Sequence, residues 1–295
     1  MAIKSSEVNI AFIINPISGT SRKNKIKRQI QKIFGDSKYK YTIVETEREG
    51  HATVLASEMS KSHDIIVAVG GDGTLNEVVR GILNTEAKLG IVPCGSGNGL
   101  ARHLKIPMKS AKALKAIKNG EKRYIDTVMF NGTPFVNVSG IGFDAQVAHK
   151  FAESARRGIW TYFCNTIRVY FGFKPIEVTV DIENQTFERE ALLVTFANSS
   201  QFGYNATISP ISDVSDGVIE VCILKPFSSI KSVIVVAARL FIKRMHKSKH
   251  LEIIRTQKAS ITTKTPVASH IDGSPYVIDT RFEIEINKES ITAIF

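Results

Sequence analysis

The chain has 295 residues, and 39 Lys and Arg against 28 Asp and Glu give it a formal net charge of +11. Apolar residues make up 43% of it, enough for one large or two medium cores, which excludes a disordered chain. We expect neither a secretory signal nor a membrane span, because no run approaches the roughly 18 uninterrupted apolar residues that a span needs. Three widely separated cysteines favour a reducing cytoplasm over disulfides or zinc.

The excess positive charge limits the partners to nucleic acid, an anionic membrane surface or a polyphosphate ligand. We expect no nucleic-acid partner, because no known binding motif or pattern of stacking aromatics accompanies the charge. The oligomeric state is left open, with a homodimer among the options.

The first ~120 residues alternate short apolar runs with stretches of helical spacing. The predicted strands are Asn9–Ile14, Tyr41–Glu45, Ile65–Val69 and Leu89–Val92. The predicted helices are Arg22–Phe34, Ala52–Ser60, Leu75–Leu83, Asn98–Leu104 and Ser110–Lys118. This alternation predicts an α/β domain with a doubly wound parallel sheet, in which ligands bind at the carboxyl ends of the strands.

The second half changes to strands joined by turns, which predicts a β-rich, sandwich-like domain with inserted helices. The predicted strands are Tyr124–Phe130, Thr133–Ser139, Pro175–Ile182, Glu190–Asn198, Val218–Leu224, Leu251–Arg255, Ala259–Thr263 and Arg281–Ile286. The predicted helices run from Ala145 to about Tyr170 and from Ser228 to about Met245. We draw the domains at residues 1–122 and 123–295, with about the last ten residues as a candidate to return to the first domain.

The turn Gly70–Thr74 lies between a predicted strand and a predicted helix and contains three glycines. Glycines let backbone N–H groups approach a phosphate closely, and the helix N-terminus adds partial positive charge. Asp72 would repel a phosphate unless Mg²⁺ lay between them or unless Asp72 took a proton from an attacking hydroxyl. A plain turn with Asp72 as a cap is the structural alternative.

A second glycine-rich turn, Gly95–Gly99, follows the next predicted strand and adds the side chains of Ser96 and Asn98. Two such turns on neighbouring strands predict one polyphosphate site. Neither turn completes the dinucleotide fingerprint, because Asn76 and Leu100 stand where its last glycine would be. The chain also lacks the P-loop lysine and the protein-kinase motifs, so a phosphate site of another design is indicated.

The stretch Gly70–Val79 resembles the signature of the catalytic domain of diacylglycerol kinases and sphingosine kinases. Part of it also occurs in NAD kinases and phosphofructokinases, but further stretches agree with the family in order. They are Asn15-Pro16, Thr46, Pro93–Arg102, Gly140–Ala145, Ser215–Gly217 and Ile271–Gly273. The resemblance spans nearly the whole chain and is closest in length to the bacterial soluble lipid kinases.

This resemblance implies ATP-dependent phosphorylation of a lipid hydroxyl, in a cleft between the two domains. It assigns the lipid head group to Asp144 and the ATP phosphates to the basic pair Arg156 and Arg157, with a helix cap and a solvated helix end as the structural alternatives. The residues that it assigns to the nucleotide are Asn15, Thr46, Gly71, Asp72, Gly73, Thr74, Leu75, Asn76 and Ser96.

Two carboxylates are candidates for the base that takes the proton of the hydroxyl, Asp72 and Asp272. The family usually reads Asp-Gly-Glu where this chain has Asp272–Ser274, so a glutamate cannot act here. We favour Asp272 as the base, with Asp72 organising Mg²⁺, and a simple Asp-Gly turn is the alternative for Asp272.

The resemblance also implies a structural Mg²⁺, held by the Asp216 carboxylate and by the backbone carbonyls of Asp213 and Val218. Oxygen ligands of this kind suit a hard cation. An ordinary Asp-Gly turn that leads into the next strand is the alternative.

Two other functions stay open beside the lipid kinase. An NAD kinase would share the first glycine turn and the two-domain plan, and a nucleotide- or lipid-sensing homologue would have lost its base, which Ser274 allows. The turn Gly95–Gly99 is closer to sphingosine and ceramide kinases than to bacterial diacylglycerol kinases, which usually carry Gly-Thr-x-Asn-Asp there. This mildly favours a sphingoid lipid over diacylglycerol as the acceptor.

A membrane lipid as substrate implies that a cytoplasmic enzyme docks reversibly at the membrane surface. The predicted helix near Ser228–Met245 continues into a basic stretch, which is a candidate for this docking and otherwise a solvated loop. Its basic residues include Lys243, Arg244, Lys247 and Lys249.

Overall fold

The computed structural model describes residues 8–18, 23–35, 38–154, 165–166, 168–170, 172–227 and 229–295. The chain divides into two compact units. Unit one runs to Ile125 and takes in Glu289–Phe295, and unit two is Asp126–Lys288. In the described ranges no helix is both long enough and apolar enough to cross a membrane.

Unit one alternates strands with helices, as the spacing of apolar residues predicts. Its strands are β1 (Val8–Ile14), β2 (Tyr39–Glu45), β3 (Ile65–Gly70) and β4 (Lys88–Pro93). Its helices are α1 (Lys23–Phe34), α2 (His51–Met59), α3 (Asp72–Ile82), α4 (Gly99–His103) and α5 (Ser110–Asn119). The strands and helices predicted for this half are confirmed, with ends that differ by a few residues.

Unit two consists mainly of strands. With β5 (Lys122–Phe130), which begins in unit one, they are β6 (Thr133–Phe135), β7 (Val138–Gly142), β8 (Ile176–Ile182), β9 (Gln185–Ala191), β10 (Leu193–Ala197), β11 (Gln201–Gly203), β12 (Ala206–Thr207), β13 (Ile219–Leu224), β14 (Leu251–Thr256), β15 (Lys258–Ile271) and β16 (Ser274–Ile294). Its helices are α6 (Phe143–Ala152) and α7 (Ile230–Phe241), followed by a short 3-10 turn at Met245–Lys247.

The sheet of unit one is parallel, in the order β2-β1-β3-β4, and the last residues of β16 lie parallel beside β4. The chain therefore steps from β1 to β2 in one direction and from β2 to β3 and β4 in the other. Right-handed crossovers then place α1 on one face and α2 and α3 on the other. In keeping with this, α1 packs against α5, and α2 packs against α3. The reversal makes the carboxyl ends of β1 and β3 the switch point, where ligands bind in such sheets.

The strands of unit two are antiparallel around a core of large apolar side chains, among them Phe130, Phe196 and Phe282. The long strand β15 joins two parts of this core. Its first half pairs with β8, and its last residues pair with β7. Between these two parts, the register of its pairing with β16 shifts. This arrangement confirms the predicted β-rich domain with inserted helices.

Several elements of unit two differ from the prediction. The hairpin of β15 and β16 is far longer than the two short strands predicted, since pairing with neighbouring strands extends it through polar residues such as Ser269 and His270. The polar strand β9 has no apolar run to reveal it, and it is ordered by its pairing with β8. The first inserted helix ends at Ala152, and most of the remainder of its predicted range lies outside the described residues.

Candidate active site

The switch point of unit one brings together residues that follow three different strands. Asn15 follows β1, and its Nδ2 donates to Oγ1 of Thr74 at the start of α3, at 3.0 Å. Thr46 follows β2, and its N–H donates to the carbonyl of Ile14 at 2.9 Å. The residues predicted to contact the nucleotide in unit one thus converge from distant parts of the chain, as strand ends of a parallel sheet do.

The two glycine-rich turns pack backbone against backbone. The Gly70 carbonyl accepts the N–H of Cys94 at 2.7 Å and that of Gly95 at 3.3 Å. A Cβ atom on Gly95 would lie 2.5 Å from Cα of Gly71, and one on Gly71 would lie 3.1 Å from Cα of Gly95. Only glycine at both positions allows this approach without a shift of the backbone. The two turns therefore lie side by side, and the single polyphosphate site stays a prediction.

Asp72 connects the first turn to the second. It is the first residue of α3, and its Oδ1 accepts the N–H of Gly99 at 2.7 Å, at the start of α4. Asn98 adopts the left-handed conformation (φ 49°) and bonds Gly95 twice, accepting its N–H at 3.1 Å and donating to its carbonyl at 2.7 Å. These bonds hold both turns in a single conformation.

The edge formed by these turns remains open to solvent. Gly73 and Ser96 are exposed, whereas Thr46, Thr74, Leu75 and Asn76 are buried beneath them. Backbone N–H groups of the first turn of a helix have no acceptor within the helix, and in α3 these include Gly73 and Thr74. The arrangement suits an anion, because the helix N-terminus carries partial positive charge.

In unit two, Asp144 lies over the middle of three neighbouring strands. Gly140 of β7 pairs with Thr195 of β10 on one side and with His270 of β15 on the other. Asp144 Oδ2 accepts Thr195 Oγ1 at 2.8 Å and lies 3.3 Å from His270 Nε2. A Cβ atom on Gly140 would lie 2.6 Å from this oxygen, so glycine makes room for the carboxylate.

His270 links Asp144 to the turn that carries Asp272. The N–H of Gly273 donates to His270 Nδ1 at 3.3 Å, so this nitrogen is an acceptor and the proton belongs on Nε2, where it faces Asp144. Asp272 (φ 47°) and Gly273 (φ 81°) form a two-residue hairpin turn in which both φ angles are positive. The imidazole thus connects two of the predicted site residues of unit two.

The carboxylate of Asp272 is buried and bound to the backbone. Its Oδ1 accepts the N–H groups of Asn137 at 2.9 Å and Val138 at 3.1 Å, and its Oδ2 accepts that of Val136 at 3.2 Å. Only 6% of the residue is exposed. Whatever its role in proton transfer, Asp272 anchors the segment between β6 and β7.

The loop predicted to hold a structural Mg²⁺ contains an ion pair. Asp216 Oδ2 contacts the guanidinium of Arg255, and Asp216 Oδ1 accepts the N–H of Val218 at 3.1 Å. Asp213 Oδ1 accepts the N–H and the hydroxyl of Ser215. Nowhere in the described part of the chain do three His, Cys, Asp or Glu side chains gather as a metal site. The predicted ligand set of the Asp216 carboxylate and the backbone carbonyls of Asp213 and Val218 is of a different kind, and it stays a prediction.

Arg255 also contacts a buried acid. Its Nε donates to Glu220 Oε1 at 3.1 Å, and the Glu220 side chain is fully buried. Burial raises the pKa of Glu220, and the bond from Arg255 opposes this only in part. Burial likewise raises the pKa of Asp216, again against the charge of Arg255. In the structure, Arg255 is thus the cation that pairs with both Asp216 of the loop and Glu220 of β13.

Sequence reasoning missed several residues that position the site. Thr195 lies in the middle of a strand with no local signal, and Asp126 is fully buried, where its Oδ2 accepts the N–H of Gly217 at 2.8 Å. His270 stands two residues before Asp272 of the Asp-Gly turn, which was the one available hint. The predicted basic pair, Arg156 and Arg157, lies outside the described residues.

The contact between the turns predicts the effect of one methyl group. Gly95→Ala should lower the free energy of unfolding by about 1–3 kcal/mol, because the added Cβ meets backbone rather than a movable side chain. Denaturant unfolding measures this, with Gly172→Ala as the control, since a Cβ there meets nothing within 4 Å. Equal stability of the two variants would contradict the packing of the turns.

The raised pKa of Glu220 predicts a pH dependence of stability. In the window above its ordinary pKa of 4.5, the folded chain holds more protons than the unfolded chain, so the free energy of unfolding falls as the pH rises. Glu220→Gln keeps an acceptor for Arg255 and should flatten this slope, although Asp216 contributes with the same sign.

Denaturant unfolding from about pH 4 to about pH 8 measures this slope. The control is Glu285→Gln, whose side chain is 61% exposed beside Lys258 and which should keep the wild-type slope. An unchanged slope in Glu220→Gln would show that the buried acid does not titrate there.

Comparisons with known proteins agree with this geometry. The model of the diacylglycerol kinase catalytic domain matches residues 9–130, and that of the YegS C-terminal NAD kinase beta sandwich-like domain matches residues 137–283. The chain is 28% identical over 268 residues to a diacylglycerol kinase of Bacillus subtilis (strain 168), covering 89% of this chain and 88% of that one. It is also 28% identical over 274 residues to a diacylglycerol kinase of Staphylococcus haemolyticus (strain JCSC1435), covering 89% and 81%.

A solved structure has a similar fold. The crystal structure of a candidate diacylglycerol kinase from Bacillus anthracis str. Sterne superposes with a TM-score of 0.81 at 26% identity, covering 97% of this chain and 96% of that one. The two matched domains together span nearly all of the described chain, in the order in which the glycine turns and the β-rich unit occur. The chain therefore combines a diacylglycerol kinase catalytic domain with a YegS-type C-terminal domain and is a lipid kinase.

Proposed function

We propose that this kinase transfers the terminal phosphate of ATP to a hydroxyl group of a membrane lipid at the cytoplasmic surface of the membrane. The observation that carries the nucleotide part is the contact of two glycine turns at the switch point, beside the N-terminus of α3. Unit two supplies the candidates for the lipid head group and for the base, Asp144 and Asp272.

In this proposal, backbone N–H groups of the turns and the N-terminus of α3 bind the phosphates. Asn15 and Thr46 contribute polar groups from the neighbouring strand ends, and Ser96 contributes a hydroxyl from an exposed position. Mg²⁺ bound with ATP supplies charge neutralisation as the phosphoryl group moves. The exposed turns at the carboxyl ends of β3 and β4 are accessible to the nucleotide, so the buried residues need not move when it binds.

The reaction forms one bond from the lipid oxygen to the terminal phosphorus and breaks the bond from that phosphorus to ADP. The hydroxyl proton passes to a carboxylate, for which Asp272 and Asp72 are the candidates. Because Asp272 Oδ1 already accepts two N–H groups, Oδ2 is the atom of this residue that is better suited to take the proton. In Asp72, Oδ1 accepts the N–H of Gly99, which fixes the orientation of this carboxylate.

The acceptor lipid has support from two directions. The relatives in Bacillus subtilis and Staphylococcus haemolyticus are named diacylglycerol kinases, which supports diacylglycerol. The turn Gly95–Gly99 resembles that of kinases acting on sphingoid lipids. Diacylglycerol has the better support, because those relatives match over most of the chain, whereas the turn is five residues long.

Incubation with labelled ATP, Mg²⁺ and a total lipid extract tests the proposed function. We expect label in a lipid product that mass spectrometry identifies as a phosphorylated diacylglycerol. Label in a sphingoid phosphate instead would reverse the order of the two acceptors. ATP binding without a labelled lipid would overturn the proposal and favour a sensing role, and label in NADP would favour an NAD kinase.

Asparagine variants distinguish the two candidate bases. Asp272→Asn should lower kcat by about 10² to 10⁴ with little change in the KM for ATP, if Asp272 is the base. In this variant the side-chain amide also points an N–H group at a backbone N–H group. The free energy of unfolding should therefore fall by about 1–3 kcal/mol. Asp72→Asn keeps an acceptor for Gly99 and should lose turnover with a smaller loss of stability, in keeping with a role in organising Mg²⁺.

The pH dependence of kcat distinguishes loss of the catalytic base from loss of stability in these two variants. The variant that lacks the base should lose the acidic limb of the kcat profile, whereas a variant that is only less stable keeps it. If Asp272→Asn retains the limb and Asp72→Asn loses it, the two roles are exchanged. Near-wild-type activity of Asp72→Asn would contradict a catalytic role for the first glycine turn.

A further inference from the structure

Helix α7 presents an apolar face to solvent. Ile234 is 62% exposed, Val235 46%, Phe241 55% and Ile242, directly after the helix, 57%. These positions recur at the spacing of one helix face, with the exposed Ala238 between them. A surface helix of a globular protein normally turns polar residues outward. An exposed apolar face of this kind is typical of an interaction surface.

The opposite side of α7 is held firmly in unit two. Val236 is buried, and Leu240 packs with it against a cluster that includes Met245, which is fully buried. The N–H of Ile242 donates to the carbonyl of Ala238 at 3.0 Å, and that of Arg244 donates to the carbonyl of Arg239 at 3.0 Å. The exposed face is thus a fixed, folded surface.

Basic residues surround this face. Lys231 lies at its start, and four exposed residues follow its end, namely Lys243, Arg244, Lys247 and Lys249. No Asp or Glu occurs anywhere in residues 229–249. The basic segment is ordered beside the helix, because Arg239 Nη1 donates to the carbonyl of Lys247 and the N–H of Ser248 donates to that of Met245 at 2.8 Å.

We infer that the exposed face of α7 inserts into the surface of an anionic bilayer, while the basic segment contacts the lipid head groups. An apolar helix face flanked by Lys and Arg is the arrangement of interfacial membrane helices. The choice of a membrane rests on charge, because a second copy docked through the same face would bring two basic segments together. The inference deepens the proposed function, on which it rests for the lipid substrate.

Vesicle binding without ATP tests this surface independently of catalysis. Sedimentation with phosphatidylcholine vesicles that contain phosphatidylglycerol should retain the wild type, and pure phosphatidylcholine should retain less. Ile234→Ser/Phe241→Ser should weaken binding about tenfold or more, because insertion loses two apolar side chains. The matched control is Ile278→Ser, which removes an equally exposed side chain (65%) from β16 and should bind as the wild type does.

A second variant reports insertion directly. Val235→Trp should show a blue shift of tryptophan fluorescence on anionic vesicles and none with soluble lipid head groups, since the indole enters a less polar environment. Changing Lys243, Arg244, Lys247 and Lys249 to Glu should abolish the preference for anionic vesicles. In the wild type this preference should weaken with added salt, because screening acts over about 8 Å at physiological ionic strength.

Several results would overturn the inference. They are unchanged binding of Ile234→Ser/Phe241→Ser, equal loss in the Ile278→Ser control, and no fluorescence shift in Val235→Trp. A dimer that the serine pair converts to monomer in sedimentation analysis would assign the face to a second copy instead.

The kinase assay separates this inference from the proposed function. Under the inference, the four Glu changes raise the apparent KM for vesicle-borne lipid and spare a short-chain soluble analogue. Phosphorylation of the soluble analogue without vesicle binding would overturn the docking surface alone. Vesicle binding without phosphorylation of either lipid would overturn the proposed function alone.

Discussion

Buried backbone N–H groups need acceptors, and around the candidate site of this protein aspartate carboxylates supply them. Asp72 accepts the N–H of Gly99, Asp126 that of Gly217 and Asp144 that of Ala145. Asp272 accepts three consecutive N–H groups, those of residues 136–138. Loops that carry no regular hydrogen-bond ladder are thus held in one conformation. The glycine turns and the Asp-Gly hairpin could not keep their positions without these bonds.

In the proposed function, the same bonds give the acidic residues a second role beside their structural one. A carboxylate oxygen fixed by N–H donors is held in a defined orientation, which is what a catalytic or metal-binding group requires. The removal of such a carboxylate leaves buried donors unsatisfied, so its loss costs stability as well as activity. In a kinase of this design, the acids that match the family signature are therefore part of the architecture, and stability and rate have to be measured together.

Unit two arranges its charged residues in two different ways. In the loop around Asp216 an arginine, Arg255, neutralises two acids within the protein, of which Glu220 is fully buried. Around α7 the basic residues face solvent, and no acidic residue occurs in residues 229–249. The first arrangement stabilises a fold, whereas the second leaves uncompensated charge for a partner. Part of the formal net charge of +11 is thus concentrated around α7, on the surface of unit two.

Local patterns in the sequence were enough to determine unit one. Three of its strands, β1, β3 and β4, are short apolar runs that are largely buried, as in Ile65–Val69, which the structure extends by one residue to Gly70. Its helices follow a spacing that needs no distant information. The two glycine turns, and with them the family, could be recognised because the residues that approach a phosphate are consecutive in the chain.

Only the tertiary structure decided which side chains meet in unit two. Thr195, Gly140 and His270 become neighbours through the register of β10, β7 and β15, and this register places Asp144 between a hydroxyl and an imidazole. Likewise Arg255 reaches Asp216 across 39 residues of chain. Composition and periodicity carry no record of register, because a strand can slide along its neighbour without any change in its own sequence pattern. The contacts of the site therefore depend on strand pairing, which the whole fold sets.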